Sequence, residues 1–371
     1  MNNITYIYAG NRKDNILNET YEAKEFYYGL HSFDSKKFNI NIIELNNHTG
    51  YLNSILKIID YIFQRFFSLP FYFSKITTYK NLKILKKSNY VIMVNESVGC
   101  SMLMLLIYLK LFTNVKTSLF IMGLYSKNVR FKFLKGLHNL AVKFVVFFID
   151  NLFFLGKGEF QNAIHFHKKN SKLIYFPFGI DTEFWSTLDS EKNVNKINDV
   201  IFVGNDGNRD FNTLLNIVKN MPQLNFIIVS ESEILNKTKL PNLKIYKGSW
   251  GAEILTDLEL KNLYNSSKLT IIPLKNTTQP SGQSVALQSM AVGTPVMISK
   301  TDGFWDYEEF SDFENIFFVN NNETSLWTEK IEKVLRDNDL LFDVSIKAKE
   351  KVLVKFNLDT FCNKLNNHIF I

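Results

Sequence analysis

Apolar runs of four to six residues recur along the chain, separated by longer stretches whose apolar positions repeat every three to four residues. The short runs predict buried strands at 4–9, 39–45, 90–95, 117–122, 151–155 and 173–176. The longer stretches predict helices around 20–33, 51–67, 74–87, 99–112 and 130–148. A turn-forming Pro177-Phe-Gly-Ile-Asp-Thr and a polar loop over 189–198 then interrupt the rhythm. Strands resume at 200–203, 225–229, 243–246, 269–273, 295–299 and 316–319. Helices are expected at 211–220, 257–266, 284–292, 325–336 and 340–354, with a last amphipathic one from about 358. Strict alternation of continuous apolar strands with helices implies parallel sheets covered on both faces. The fold class is α/β, with two doubly wound, Rossmann-like domains facing across a cleft. The boundaries are 1–180, 181–354 and a C-terminal helix at 355–371 returning to the first domain. Ligands of such sheets sit beyond the carboxyl ends of the strands, so the loops there are where chemistry is sought.

Composition narrows the class. The 371 residues are 46% hydrophobic and 21% charged, which leaves no room for a large disordered segment. Two cysteines, Cys100 and Cys362, make neither a disulfide scaffold nor a structural zinc site. Met1-Asn-Asn runs straight into a strand, so no leader is expected and the protein reads as cytoplasmic. Two apolar stretches invite a membrane-spanning reading and fail it. Ser101–Phe112 is short and carries Lys110, and 140–155 is broken by Lys143 and Asp150.

Charge is distributed unevenly. Up to Ile180 there are 23 Lys+Arg against 10 Asp+Glu, a net of +13, and the remainder carries −6. Between 45 and 149 the basic residues number 14 and the acids only two, Asp60 and Glu96. A basic, aromatic first half suggests an anionic partner or a solvated basic face. No zinc finger, RNP box or helix-turn-helix accompanies the charge, so nucleic acid is not expected. The stretch 127–143 interleaves Arg130, Lys132 and Lys135 with Phe131, Phe133, Leu134 and Leu137, the composition of a helix lying on an anionic membrane.

One constellation carries chemistry. In Ser281-Gly-Gln-Ser, Ser281 is a candidate N-cap, Gly282 allows close approach, and Gly293 stops the helix ten residues on. The amides of Gly282, Gln283 and Ser284 would point out of a helix N-terminus, where the dipole favours an anion. Ser284 and Gln288 share a helix face. Arg209 sits in the Gly/Asn-rich loop Gly204–Asp210 after one strand, and Lys275 follows another. Two cations and a helix N-terminus converging from strand ends predict a diphosphate site. Gly10 opens the loop after the first strand, and Glu96 follows the strand at 90–95. Glu96 either positions a substrate or caps the next helix. Three other signals are read as incidental: Asp337-Asn-Asp339 between late helices, His165 and His167 two apart in a helix, and Gly156-Lys-Gly158 without the rest of a dinucleotide fingerprint. No metal requirement is indicated.

Beyond those loops, Pro177-Phe-Gly-Ile-Asp-Thr-Glu-Phe-Trp185, Tyr246-Lys-Gly-Ser249, Ser281–Val296 and Lys300-Thr-Asp-Gly-Phe-Trp-Asp306 occur in a fixed order. In that order they resemble the nucleotide-binding domain of retaining GT-B glycosyltransferases, the "glycosyl transferases group 1" type. The resemblance covers about 160–320, and the first half matches only in its strand–helix rhythm. It implies transfer of a sugar from a UDP- or GDP-sugar to an acceptor hydroxyl with retention, without a metal or other cofactor. Arg209 and Lys275 match the pair that contacts the donor diphosphate. Gln288 stands where the family places a ribose-binding glutamate, and Gln279 lies near the place of a second one. Ser230, Glu231, Ser249 and Trp250 match the loops that cradle the base. The implied partners are a nucleotide sugar and a glycan or glycolipid acceptor. The setting expected is bacterial polysaccharide or lipopolysaccharide synthesis, at the inner face of the membrane. A non-catalytic nucleotide- or glycan-binding scaffold of the same fold is the alternative.

Overall fold

The computed structural model describes residues 2–127, 129, 131–168, 170–187, 196–247 and 255–369. The chain forms two compact units. The first comprises Met1–Tyr21, Tyr27–Phe176 and Lys364–Ile371; the second comprises Glu22–Phe26 and Pro177–Asn363. Neither unit is continuous in sequence.

The first unit is built on six strands: β1 (Asn2–Tyr8), β2 (Phe38–Glu44), β3 (Tyr90–Met93), β4 (Lys116–Ile121), β5 (Asn151–Phe154) and β6 (Leu173–Tyr175). They lie parallel in the order β2-β1-β3-β4-β5-β6. The inner strands β3, β4 and β5 are buried almost throughout, β4 with Thr117 and Ser118 inside as well as Leu119, Phe120 and Ile121.

The second unit repeats the plan with β7 (Asn198–Val203), β8 (Phe226–Val229), β9 (Leu243–Tyr246), β10 (Ser267–Ile272), β11 (Val296–Ser299) and β12 (Phe317–Val319). Their order is β12-β11-β10-β7-β8-β9, again all parallel. One of its cores packs Val200, Phe202, Leu269, Ile271 and Met297 of the sheet against Leu214, Ile217, Trp327, Ile331 and Val344 of the covering helices.

Two expected helices are corrected. No helix spans 20–33. A short one at Lys13–Asn18 is followed by 3-10 turns at Glu25–Tyr27 and Leu30–Ser32. The chain there takes positive φ at Glu19, Tyr28 and Gly29. Its carbonyls at Tyr28 and Tyr27 accept the Tyr6 and Tyr8 hydroxyls from β1, at 3.0 Å each, instead of continuing a helix. The helix expected at 99–112 is two, Glu96–Ser101 and Leu103–Phe112. The polar loop expected at 189–198 falls mostly outside the described residues, as does Arg130. Among the described residues no helix is long and apolar enough to cross a membrane.

Candidate active site

In the second sheet the chain runs from β7 outward through β8 and β9, then returns to place β10 on the other side of β7. The loops after β7 and β10 therefore part in opposite directions, which opens a crevice at the carboxyl ends of these strands. They are stitched together across it. Asp210 N donates to the Pro273 carbonyl at 2.9 Å, and Lys275 N donates to the Asn208 carbonyl at 2.8 Å. The Asn208 side-chain amide donates to Gln279 Oε1 at 3.1 Å and to Ser281 Oγ at 2.8 Å. The loop after β8 joins them: Asn205 Oδ1 accepts from Ser230 Oγ at 2.8 Å and Glu231 N at 2.7 Å. Arg209, Lys275, Ser281, Ser230 and Glu231 thus stand on three loops tied to one another.

Arg209 is the unusual member. It is only 3% exposed. Its ion pair with Asp206, at 3.4 Å, makes no hydrogen bond from Nη1, and neither Nε nor Nη1 has a hydrogen-bond partner. Burial pulls its pKa below the ordinary arginine value. The guanidinium fits only because two neighbours lack side chains. A Cβ on Gly204 would lie 2.1 Å from Arg209 Nε, and one on Gly282 would lie 3.2 Å from Nη1. Both glycines also hold positive φ, +153° and +80°, so glycine is required twice over. A buried cation with unsatisfied N–H groups is costly unless something anionic completes it.

Gly282 also begins the helix Gln283–Val292, whose first bond runs from Ala286 N to the Gly282 carbonyl at 2.9 Å. The sequence-based expectation that Ser281 caps this helix is corrected. Gly282 is the N-cap, with no side-chain cap, and the Ser281 hydroxyl accepts from Asn208 instead. Gly293 ends the helix in the left-handed conformation, as anticipated. First-turn amides have no acceptor within a helix, so this terminus and the Arg209 guanidinium present positive potential at one place. Lys275 is exposed at the rim, its Nζ donating to the Gly207 carbonyl at 3.1 Å.

The helix is buried almost all round, with Ser284 half-buried and Gln283 and Gln288 inside. Gln288 Nε2 donates to Glu25 Oε1 at 2.8 Å, and the Trp185 indole donates to the same oxygen at 2.8 Å. Glu25 is fully buried, and burial raises its pKa to about 7. Its segment is held to the unit by four more bonds: Ala23 N to Asp257, Lys24 N to Asp181, Leu258 N to Glu22, and Asp181 N to Glu25 Oε2. Nothing in the local sequence marks Glu25, because its partners lie far along the chain. The motif Lys300–Asp306 supports the site from behind. A Cβ on Gly303 would meet the Gln279 carbonyl oxygen at 2.3 Å and the Thr277 carbonyl oxygen at 2.7 Å. Gly303→Ala should therefore push the 277–281 loop away and cost about 1–3 kcal/mol of stability, measurable by denaturant titration. An unchanged midpoint would show that the loop yields freely. Ser249 and Trp250 lie outside the described residues.

In the first unit the switch point falls between β1 and β3, and Gly10 and Glu96 follow those strands. Gly10 has φ +154° with open space where a Cβ would point. The loop beyond it is anchored by Glu44 Oε1, which accepts from Arg12 N at 2.6 Å and Lys13 N at 2.8 Å. Glu96 does not cap its helix. Asn95 does, accepting from Val98 N at 3.0 Å, while Glu96 Oε1 pairs with Lys127 Nζ at 3.3 Å. Glu96 Oε2 is buried without a hydrogen-bond partner.

A second buried carboxyl in this unit escaped the sequence reading. Glu159 accepts from Tyr125 N at 2.8 Å, and burial raises its pKa to about 8. The group is held protonated in the fold, so its stabilisation is complete below 4.5 and is lost as pH rises through about 8. The melting temperature should fall across that window, and Glu159→Gln should flatten the fall. An equal slope in the variant would assign it elsewhere. The incidental signals have ordinary roles: Asp337 caps the helix Asn338–Lys355, and His165 and His167 bond separately to the Gln161 carbonyl and the Tyr125 hydroxyl. Among the described residues no His, Cys, Asp or Glu group could hold a metal.

Residues 197–337 match the sequence model of the family described as "Glycosyl transferases group 1". No curated protein sequence matches the chain. Among solved structures, HepE from Anabaena in complex with UDP-glucose is 11% identical and superposes with a TM-score of 0.69, covering 99% of both chains. Sucrose-phosphate synthase from Thermosynechococcus elongatus is 13% identical with a TM-score of 0.67, covering 100% of this chain and 99% of that one. A glycosyltransferase from Rickettsia africae is 14% identical with a TM-score of 0.62, covering 99% and 97%. At such identities the likeness establishes the fold, which is GT-B. Within that fold, residues 197–337 are similar to the glycosyl transferases group 1 family.

Proposed function

We propose that the chain transfers a sugar from a UDP- or GDP-sugar to a hydroxyl of a glycan or glycolipid acceptor, with retention at the anomeric carbon. The observation that carries this reading is Arg209, a buried guanidinium with two unpartnered nitrogens between Gly204 and Gly282 at a helix N-terminus. A donor diphosphate supplies the hydrogen-bond acceptors that Nε and Nη1 lack, which Asp206 at 3.4 Å does not provide. As the bond from the anomeric carbon to the phosphate oxygen breaks, negative charge grows on the leaving diphosphate. Arg209, Lys275 and the amides of Gly282, Gln283 and Ser284 stabilise it there, more strongly than they stabilise the intact donor. The acceptor oxygen bonds to the same face of the sugar, and its proton passes to the leaving phosphate. Gly204 gives the donor phosphates close access to the backbone, and Ser230 and Glu231 flank the base.

Gln288, which the family resemblance assigns to ribose, has its amide nitrogen committed to Glu25. That commitment favours the second reading, a nucleotide-binding scaffold without turnover. Calorimetric titration with UDP, GDP, CDP and ADP, followed by release of the diphosphate from the matching sugar donor, separates the two. Selective binding with turnover establishes the transferase. Binding without turnover on any acceptor extract supports the scaffold, and no binding at all overturns both.

A further inference from the structure

The helix Tyr51–Phe67 in the first unit is apolar on its outward face as well as on its inward one, where Phe63 packs on Phe71 and Phe73. Its one buried residue is Asp60, whose carboxylate accepts from Phe73 N at 2.6 Å, Ser74 N at 3.2 Å and Ser74 Oγ at 2.6 Å. The outward stripe is apolar: Tyr51, Ile55, Ile58, Ile62 and Phe66, spaced four, three, four and four residues apart. Tyr51 is 82% exposed and Ile58 is 62% exposed. Ordinary surface helices of water-soluble proteins keep the outward face polar.

A second helix, Lys135–Phe147, packs against the first, with His138 Nδ1 bonded to the Phe67 carbonyl at 2.6 Å. It has an outward stripe of its own: Leu137, Leu140, Phe144 and Phe147, with Leu140 62% and Phe147 65% exposed. The turn before it adds Phe133. Every exposed charge on the two helices and that turn is basic, namely Lys57, Arg65, Lys132, Lys135 and Lys143. Contiguous apolar exposure on this scale marks an interaction surface, and the charge selects its partner. A second copy of this chain would bring like charges together across the contact. A bilayer accepts aromatic and aliphatic side chains at the headgroup boundary and offers anionic headgroups to the surrounding lysines.

We propose that the helices Tyr51–Phe67 and Lys135–Phe147 form a seat on an anionic membrane, with the first helix as its principal anchor. The seat extends the acceptor reading above, since a lipid-linked acceptor would be met there, but its evidence is independent of the donor site.

The test is flotation of the full chain with vesicles of phosphatidylcholine alone or mixed with phosphatidylglycerol, at low and high salt. Wild type should float with the phosphatidylglycerol vesicles, less so at high salt, and stay behind with phosphatidylcholine. The pair Ile58→Asp and Ile62→Asp should weaken binding at least about tenfold. Lys57→Gln and Arg65→Gln should each weaken it about fivefold and reduce its salt dependence. These exposed positions should leave the melting temperature near that of wild type, which keeps lost binding distinct from lost folding. Failure of wild type to float, or unchanged flotation of the Ile58/Ile62 variant, overturns the proposal. So does sedimentation that shows a dimer dissociated by the same substitutions, because the surface then belongs to a second copy. Flotation uses no nucleotide, so its failure and failure of the donor site are read separately.

Discussion

Arg209→Met is expected to melt at a higher temperature than wild type while losing donor binding and turnover. The two effects have one cause. The guanidinium is 3% exposed, and its Nε and Nη1 have no hydrogen-bond partner. Replacing it with an apolar chain of similar length removes that desolvation penalty, about 1–3 kcal/mol, a gain of a few degrees. The same change removes a charge-assisted donor from the leaving diphosphate, at a cost of about 10²–10³ in kcat. Scanning calorimetry without ligand, titration with UDP and GDP, and diphosphate release give the three readouts. A purely structural arginine would make the variant less stable, so a lower melting temperature with intact diphosphate binding would sink the assignment. Gly204→Ala gives an independent approach to the same group, because its methyl would occupy the place of Nε.

The largest stability loss is expected from Glu25→Ala. One buried oxygen, Glu25 Oε1, accepts from both Gln288 Nε2 and Trp185 Nε1. Truncation leaves these two donors, and Asp181 N, which donates to Glu25 Oε2 at 3.4 Å, without an acceptor inside the second unit, and should cost about 3–5 kcal/mol. Glu25→Gln keeps a carbonyl oxygen for both donors and should cost about 1 kcal/mol. pH separates the two forms of the native group. The folded pKa of about 7 lies above the ordinary 4.5, so the protonated carboxyl is the one the fold prefers. Its contribution is complete below 4.5 and is lost as pH rises through about 7. Urea titrations at several pH values should therefore show wild type losing stability across that window and Glu25→Gln losing less. Equal losses in the two proteins would show that Glu25 is not the titrating group.

Much of this architecture was legible because parallel sheets write themselves plainly into sequence. β7, β8, β10 and β11 are continuous apolar runs flanked by polar turns, and each was found within about two residues. The candidate site was legible where it depends on local chemistry: the glycines after β7 and β10, the basic residues beside them and the glycine that stops the helix. What failed depends on distance. A helix was expected at 20–33 because its apolar spacing is suitable, yet tyrosine hydroxyls on β1 claim its carbonyls. Ser281 has good capping chemistry, but Asn208 from another loop binds its hydroxyl. Glu25 and Glu159 were invisible because a lone glutamate in a mixed segment carries no period, and only long-range burial makes it unusual. The outward face of Tyr51–Phe67 was hidden for a related reason: periodicity reveals an apolar stripe without saying which way it points.

The crossing of residues 22–26 into the second unit has a consequence for how the chain is made. A ribosome delivers this segment long before Trp185 and Gln288, so the Glu25 carboxyl must wait in an unfinished intermediate for its donors. The first unit in turn lacks its final piece until Lys364–Ile371 emerges. Vectorial synthesis therefore cannot complete the halves one after the other. Cutting the gene near codon 180 would yield neither half intact, and a dissected second unit would need the 22–26 peptide supplied in trans or spliced back by circular permutation.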